Sequence, residues 1–343
     1  MSWIKKLFSV FMVFVLCFSL CACSGAGLNK YSKSTTQLFD TYCEITAYDT
    51  SQASFDKKYE KIYALLEKYD QLFDIYHTYD FVVNLKYVND HAASSPVAVS
   101  DEIMDLLLYG KKVYDLSEKT VNIAMGSVLS LWHEKREEGR QLPDMAELQR
   151  RSKHTDINSL VLDEDKKTVF FSDPALSLDV GAIAKGFVCE KIAEYIVQNQ
   201  LFDSALISLG GNIKTVGTKG NRADEAFNVA VENPLSQDYL AVLNVSSGDS
   251  VVTSGDYQRY YEVNGKRYCH IINPKTLMPS EFVSSVTVVA KDSLYADAMS
   301  TALFNMSIDD GLKLVNSTEL SEAVWLSPDG TITYSDNFKD YLK

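Results

Sequence analysis

The chain has little positive charge for its length and no cysteine pattern that indicates cross-linking. Lysine and arginine number 33 against 46 aspartate and glutamate, which leaves a formal net charge of -13. Nucleic-acid binding and electrostatic attachment to a membrane both need clustered basic residues, so this balance argues against both. Three of the six cysteines fall within the first 23 residues. The other three, Cys43, Cys189 and Cys269, are too widely spaced for a disulfide framework or a zinc pattern.

The sequence has one long hydrophobic run, and it lies near the N-terminus. The run covers residues 7–20, follows Lys5 and Lys6, and leads into Leu-Cys-Ala-Cys ending at Cys23. It is shorter than the roughly 20 residues that a membrane-spanning helix needs. This order of features predicts a secretory signal over residues 1–22. The L-x-A-C ending resembles a bacterial lipobox and predicts lipidation of Cys23, with an ordinary cleaved signal and a chance cysteine as the alternative.

The remainder of the chain is interpreted as a tether followed by one domain. Residues 23–36 are rich in serine, glycine and lysine, which predicts a flexible tether after the lipidated cysteine. No strong linker divides residues 37–343, so we expect one compact domain, which could be bilobed. Its helices and strands alternate irregularly and include hairpins. This predicts an α+β fold with a mixed, largely antiparallel sheet and packed helices.

Hydrophobic periodicity and turn residues locate the elements of this domain. The predicted helices cover 55–76, 101–116, 122–132, 182–200 and 295–305. A charged insertion with a short helix is predicted over 134–153. The predicted strands cover 37–48, 160–172 as a hairpin, 175–179, 205–216 as a pair, 227–231, 241–245, 251–254, 260–263, 266–272 and 286–290.

The first candidate site is a strand-to-helix turn that starts at Asp179. The predicted strand ends there, the chain turns at Gly181, and Lys185 and Gly186 open a helix. Free amides at a helix start suit a phosphate, and Lys185 adds positive charge. Asp179 could accept hydrogen bonds from a ribose or a base edge. An ordinary turn with a capping aspartate explains the pattern equally well, because it matches neither common nucleotide-binding motif.

The second candidate site is a carboxylate within an apolar helix. Asp297 and Thr301 are four residues apart and share a helix face among alanine, leucine and phenylalanine neighbours. A carboxylate buried there must be paired or bound to a metal. Carboxylate, hydroxyl and carbonyl oxygens are ligands that Mg²⁺ takes. A cap at the helix start is the alternative role for Asp297.

Weaker candidates are a histidine and two glycine-containing turns. His270 ends a predicted strand just before Pro274 and could act as a general base, although a lone histidine is more often structural. The turns at 209–212 and 253–257 would let the backbone approach a ligand closely.

Taken in order, these segments form a specific series. The series reads D-V-G-A-I-A-K-G, S-L-G-G-N-I, S-G-D-Y-Q-R-Y, H-I-I-N-P and A-D-A-M-S-T-A-L-F. It closely resembles the ApbE family of FAD:protein FMN transferases, and the resemblance runs from about Phe39 to about Gly311. The resemblance implies an Mg²⁺-dependent enzyme. Such an enzyme cleaves the FAD pyrophosphate, passes FMN to a Thr or Ser of an S-G-x-T-like segment in an acceptor protein, and releases AMP.

The resemblance also implies roles for individual residues. The Mg²⁺ ligands would be the carbonyl of Ala182 and the side chains of Asp297 and Thr301, and the catalytic residues would be Asp297 and His270. The implied FAD contacts are Phe39, Tyr76, Thr120, Val121, Asn122, Asp179, Lys185, Ile271 and Ser300. The chain departs from the family pattern where Asn122 and Asn273 replace aspartates and where Thr276-Leu277 replaces Thr-Gly.

Two other functions would use the same residues. The chain could be a lipoprotein that stores FAD, or an Mg²⁺-dependent pyrophosphatase that yields FMN and AMP. Whichever of the three functions applies, the predicted signal and lipid would place the protein at the extracytoplasmic face of the cell membrane. A transferase would then act on exported acceptor flavoproteins.

Overall fold

The computed structural model describes residues 27–139, 141–222 and 225–343. The predicted signal over residues 1–22 and the predicted lipidation of Cys23 lie outside the described residues. Within them, the helices are α1 (Gln52–Phe73), α2 (Leu85–His91), α3 (Asp101–Leu116), α4 (Gly126–Glu138), α5 (Met145–Arg151), α6 (Ala184–Gln198), α7 (Ser293–Phe304) and α8 (Ile308–Asn316). In the part of the chain that is described, none of these helices is long and apolar enough to cross a membrane.

The strands form one large sheet and three small ones. Their bounds are β1 (Asn29–Thr35), β2 (Cys43–Asp49), β3 (Val97–Ala98), β4 (Leu160–Asp163), β5 (Thr168–Phe171), β6 (Ala205–Leu209), β7 (Asn212–Val216), β8 (Phe227–Glu232), β9 (Tyr239–Val245), β10 (Ser250–Gly255), β11 (Tyr260–Val263), β12 (Lys266–Cys269), β13 (Ser285–Ala290), β14 (Ser321–Leu326) and β15 (Ile332–Tyr334). The large sheet has the order β1-β2-β6-β7-β10-β13-β14-β15. Its strand pairs are all antiparallel, which confirms the predicted α+β fold with a largely antiparallel sheet.

The central strand β13 is buried on both faces, so its sequence is largely apolar rather than alternating. All six residues of β13 are buried. On one face, Val288 joins the main core with the helices α1, α6 and α7. On the other face, Val289 packs against the β8–β9 hairpin and Phe338. Because both faces are covered, the middle of the sheet is a rigid platform for residues at its strand ends.

The predicted tether is wrong for residues 29–35, because they form the edge strand β1. Asn29 pairs with Asp49 and Thr35 pairs with Cys43 along the whole length of β2. Most β1 side chains are exposed, so its polar composition resembles that of a linker. Backbone pairing to β2 makes it a strand, and Tyr31 adds a contact with Phe55 of α1 at 5.8 Å between ring centroids.

Two further predictions near the site are wrong. Residues 175–179 do not form a strand, since only Ser177 makes a bridge, to Met125, and Asp179 N–H donates to the Ile123 carbonyl at 2.8 Å. The helix predicted over 122–132 begins at Gly126 instead. The Asn122 side chain accepts the Ala124 amide at 2.9 Å, and this local turn delays the helix.

Candidate active site

A buried carboxylate meets the start of a helix at the centre of the candidate site. Asp297 is the fifth residue of α7 and is 3% exposed. Its Oδ2 accepts the Gly186 amide at 2.8 Å. Gly186 is the third residue of α6, whose first amides have no partner within the helix, so Asp297 satisfies one of them. The alternative role of Asp297 as a helix cap is wrong, because Asp292 caps α7 by accepting the amides of the first turn.

This contact depends on the absence of a side chain at Gly186. A Cβ at this position would lie 2.6 Å from the Asp297 Cβ and 2.4 Å from the Ser293 carbonyl oxygen. Helices α6 and α7 therefore approach each other more closely here than any other residue type would allow. Ser293 N–H also donates to Glu190 at 2.8 Å, which joins the start of α7 to α6 one turn further along.

Burial and nearby hydrogen-bond donors act in opposite directions on the pKa of Asp297. Burial raises the pKa of this carboxyl group, and Lys185, the Gly186 amide and Asn212 oppose the rise. Lys185 Nζ lies 3.7 Å from Asp297 Oδ1 and donates to the Gly181 carbonyl at 3.4 Å. The buried carboxyl group thus has Lys185 as a cationic neighbour, and a divalent cation bound there would further favour its ionised form.

The predicted cation ligands have the oxygen chemistry that Mg²⁺ takes. Thr301 follows Asp297 by one turn on the same face of α7 and is half-buried. Ala182 is half-buried and stands just before α6 begins. A carboxylate, a hydroxyl and a carbonyl form an all-oxygen donor set of the kind Mg²⁺ prefers. Across the described ranges, no group of three or more His, Cys, Asp or Glu side chains is arranged to hold a metal.

Asp179 shapes the turn that leads into α6. Its Oδ1 accepts the Gly181 amide at 2.8 Å. Burial raises the pKa of the Asp179 carboxyl group, and this amide and the positive charges of Arg136 and Lys185 oppose the rise. Asp179 therefore stabilises the turn, which is the structural role that the sequence left open. This hydrogen bond uses Oδ1 and leaves Oδ2 of Asp179 available to a ligand.

The hydrogen bonds and the burial of His270 make it a neutral candidate for a general base. Its Nδ1 lies 3.2 Å from the Arg259 carbonyl oxygen, and its backbone amide donates to the same oxygen at 3.0 Å. A carbonyl only accepts, so Nδ1 carries the proton and Nε2 has a free lone pair. Burial lowers the pKa of His270 to about 4, and Lys185, Arg259 and Arg136 act in the same direction. The ring is therefore uncharged at neutral pH.

Sequence reasoning missed two residues beside Tyr76. The Tyr76 ring is 52% exposed and stacks on His133 with ring centroids 4.8 Å apart. Arg136 donates to His133 Nδ1 at 2.7 Å. Partial burial and the Asp179 carboxylate raise the pKa of the Tyr76 phenol to about 12, while Arg136 and Arg259 act in the opposite direction. Both missed residues lie on α4 within a charged stretch that resembles a solvent-exposed helix, so no sequence signal marks them.

The other predicted residues have polar groups that are satisfied within the protein. Phe39 N–H donates to Asp70 at 2.7 Å, and the Phe39 carbonyl accepts Arg259 at 3.3 Å. Thr120 Oγ1 donates to the Ser117 carbonyl at 2.7 Å, and Asn122 Nδ2 donates to the Thr155 carbonyl at 2.8 Å. The Ile271 carbonyl accepts the Ser280 amide at 3.0 Å. The Ser300 and Ser254 hydroxyls share a hydrogen bond of 2.8 Å. Val121 is buried. Asp297, Lys185 and His270 therefore stay the candidates for the charge and the base of the site.

Comparisons with known proteins identify the family of this chain. A model of the ApbE family matches residues 39–325. An FAD:protein FMN transferase of Klebsiella pneumoniae (strain 342) is 30% identical over 281 residues, which cover 80% of this chain and 84% of the relative. One from Treponema pallidum (strain Nichols) is 30% identical over 347 residues, which cover 97% and 94%.

Solved structures share the fold over most of the chain. The ApbE protein from Thermotoga maritima is 26% identical with a TM-score of 0.82, and the match covers 92% of this chain and 100% of that one. The flavin transferase ApbE from Vibrio cholerae is 25% identical with a TM-score of 0.77 and the same coverage. The chain therefore belongs to the ApbE family and is a transferase.

Proposed function

We propose that this protein is an FAD:protein FMN transferase. The observation that supports this best is the buried Asp297 carboxylate, held on the first turn of α6 beside Lys185. In the proposed reaction, a Thr or Ser hydroxyl oxygen of an acceptor protein attacks the phosphorus of the FMN half of FAD. A new P–O bond forms, the pyrophosphate P–O bond breaks, and AMP leaves with that electron pair.

Mg²⁺ is proposed to bind at the Ala182 carbonyl and the Asp297 and Thr301 side chains. When bound, it would neutralise charge that develops on the pyrophosphate. Lys185 adds a second positive charge at the same place, and the α6 start supplies backbone amides that favour anionic groups. The protein's own contribution is to position these groups before the substrate arrives.

The acceptor hydroxyl must lose a proton, and His270 is the residue proposed to take it. Its Nε2 lone pair is free because Nδ1–H is engaged with the Arg259 carbonyl. That hydrogen bond also fixes the ring plane, so the base needs little reorganisation at the moment of transfer. Burial keeps the ring neutral, which is the form that accepts a proton.

The function is tested by incubating the protein with FAD, Mg²⁺ and a peptide that contains an S-G-x-T segment. Mass spectrometry should show a gain of one FMN on the peptide and an equal amount of AMP. A matched peptide with alanine in place of the serine and valine in place of the threonine should gain nothing, because it lacks both hydroxyl nucleophiles. Free FMN and AMP without labelled peptide would contradict the proposal and indicate hydrolysis. FAD that stays bound and intact would indicate storage.

His270→Asn is expected to reduce transfer by roughly 100-fold or more while FAD binding persists, because general-base catalysis contributes about 10²- to 10⁴-fold. FAD affinity is measured by quenching of flavin fluorescence, and transfer by peptide mass. In the unsubstituted protein, transfer should fall as the pH approaches about 4, where His270 becomes protonated. Normal transfer by the asparagine variant would rule out the base role.

We also propose the cellular location of the protein from its sequence. Residues 1–22 would direct export and Cys23 would carry the lipid, which places the enzyme and its acceptors at the extracytoplasmic face of the membrane. Because β1 starts at Asn29, only residues 24–28 separate the lipid from the sheet, a reach of roughly 17 Å at full extension. Metabolic labelling with palmitate, compared with a Cys23→Ala variant, tests the anchor.

A further inference from the structure

The candidate base His270 is carried by a hairpin that lies outside the large sheet. His270 directly follows β12, and within the described residues β12 pairs with β11 in a two-stranded sheet of their own. A two-stranded hairpin is marginally stable by itself, so contacts with other elements must fix its position. The placement of the base therefore depends on what joins this hairpin to the rest of the protein.

Arg259, the residue just before β11, contacts the His270 ring through its backbone. The Arg259 carbonyl oxygen accepts the His270 amide at 3.0 Å and lies 3.2 Å from Nδ1 of the His270 ring. These two contacts with one oxygen fix the ring plane and place the proton on Nδ1. A shift of the Arg259 carbonyl would therefore move the Nε2 lone pair that is proposed to accept the proton.

The side chain of Arg259 joins the same residue to the turn between β1 and β2. Its Nη2 group donates to the Phe39 carbonyl at 3.3 Å and to the Asp40 carbonyl, and it lies 3.3 Å from Asp40 Oδ2. The Asp40 side chain is almost fully exposed, so the ion pair adds little and the two carbonyl contacts make the connection. Arg259 thus connects this turn, residues 38–41, to the candidate base.

The backbone of the 38–41 turn is strained. Phe39 and Asp40 have φ values of 55° and 50°, a region that residues with a Cβ rarely adopt. A turn with two such residues in succession usually contains glycine, asparagine or aspartate rather than phenylalanine. Strained residues persist only where surrounding contacts over-determine them, and they cluster at functional sites. The contacts here are Thr41 N–H to the Leu38 carbonyl at 3.3 Å, Phe39 N–H to Asp70 at 2.7 Å, and the Arg259 guanidinium.

The turn is also fixed to the large sheet and its core. It leads into β2, and Leu38 is buried in the main core. Thr41 lies so close to the β6–β7 turn that a Cβ at Gly210 would be 2.3 Å from Thr41 Oγ1. A turn fixed in this way is a suitable anchor for a group that must be placed accurately.

We propose that Arg259 is a positioning residue for the base of the transfer reaction. Its guanidinium group fixes the backbone at residue 259 against the 38–41 turn, and its carbonyl then fixes the tautomer and the plane of the His270 ring. Because Phe39 is an expected FAD contact, the same residue also sets the base relative to the FAD site. The inference rests on the proposed function, which assigns Arg259 a backbone contact but gives its side chain no role.

Replacing Arg259 with glutamine tests the role of the guanidinium group. Transfer in the peptide assay should fall by roughly 10- to 100-fold, because a misplacement of about 1 Å at a reacting centre can cost that much. FAD affinity, measured by quenching of flavin fluorescence, should change much less than the transfer rate. A loss of stability alone is recognised by thermal unfolding and would not alter the rate of the folded protein.

The ring of His270 gives a second measurement that needs neither FAD nor a metal. NMR of protein with isotope-labelled histidine should show Nδ1–H for His270 in the unsubstituted protein and a mixture of both tautomers in Arg259→Gln. The chain has five histidines, and the signal that disappears in His270→Asn belongs to this one. A merely structural role of Arg259 would leave the tautomer of the folded protein unchanged.

Arg267→Gln is the matched control. Arg267 lies on β12 of the same hairpin, and its guanidinium stacks on the Tyr260 ring, 4.1 Å from the centroid. This variant removes the same charge but keeps the connection to the 38–41 turn, so the His270 tautomer and transfer should both stay unchanged. Arg259→Lys is a second variant in case glutamine prevents folding. Lysine keeps the charge without the planar fork, so its transfer rate should lie between those of the unsubstituted protein and Arg259→Gln.

The outcomes separate this inference from the proposed function. If the unsubstituted protein transfers FMN and both Arg259 variants keep its rate and its Nδ1–H signal, the positioning role is refuted while the function stands. Weaker FAD binding with an unchanged His270 signal would also refute it, because Arg259 would then act on FAD directly. If the unsubstituted protein transfers no FMN, the proposed function fails, and the ring signal alone still decides whether Arg259 fixes His270.

Discussion

Replacing Gly186 with alanine should abolish transfer and lower stability together. The added methyl group would lie 2.4 Å from the Ser293 carbonyl oxygen and 2.6 Å from the Asp297 Cβ. The nearest atom belongs to the backbone of α7 and cannot rotate away, so the two helices must separate. Overpacking of this kind costs about 1–3 kcal/mol. Loss of the hydrogen bond from Gly186 to a charged Asp297 adds roughly 1.5–3 kcal/mol.

The effect on transfer should be larger than the effect on folding. A displacement of about 1 Å at a reacting centre can reduce the rate roughly 100-fold. Here it would move Asp297 and Lys185 at once. Urea unfolding followed by circular dichroism gives the change in the free energy of unfolding, and the peptide assay gives the rate of the folded protein.

Gly311→Ala is the matched control for Gly186→Ala. Gly311 also lies in a helix, α8, but its Cβ would meet only the side chains of Trp325 and Leu303, at 3.2 and 3.3 Å. Small adjustments of those side chains should accommodate it with a modest loss of stability and unchanged transfer. Full activity of Gly186→Ala would show that α6 and α7 do not need their close approach.

Asp297→Asn should separate activity from stability. The amide oxygen can still accept the Gly186 amide, so the contact between α6 and α7 is kept. Removing a charge from a buried position should leave the free energy of unfolding unchanged or raise it. Cation affinity should fall by at least about 100-fold and transfer by about 1,000-fold, because metal ions supply several kcal/mol of transition-state stabilisation.

The measurements are Mn²⁺ titration, the peptide assay and thermal unfolding of the same preparations. Asp249→Asn is the control, because Asp249 is a buried carboxylate paired with Lys291 in the turn before β10. That variant should lose stability and keep cation binding, the reverse of Asp297→Asn. Wild-type cation affinity in Asp297→Asn would remove Asp297 from the proposed ligand set.

Much of the fold could be predicted from local patterns. The helix predicted over 101–116 has those bounds, since Ser100 caps it and its apolar residues follow one stripe. The strand pair predicted over 205–216 also forms, because Gly210 and Gly211 both adopt positive φ in the turn. These elements depend on interactions within about 12 residues of sequence, which is why the sequence reveals them.

Elements that depend on distant partners could not be predicted in this way. Strand β1 is mostly exposed and depends on its pairing with β2, a distant partner in sequence terms for a strand without an apolar pattern. The stretch before Asp179 looks like a strand, but Asp179 donates to Ile123, more than 50 residues earlier in the chain. His133 and Arg136 enter the site because α4 packs beside Tyr76, and their local sequence resembles an exposed helix.

The sequence by itself predicted the α+β class and the ordered series of motifs, and the resemblance of that series to the ApbE family singled out Asp297, Lys185 and His270. Charge and apolarity within a short window marked Asp297 as unusual, because an aspartate inside an apolar helix is costly wherever the helix packs. Only the tertiary structure decided what satisfies Asp297. Gly186 is 111 residues away in sequence, and its amide reaches the carboxylate because glycine lets two helices meet at a distance that any side chain would prevent.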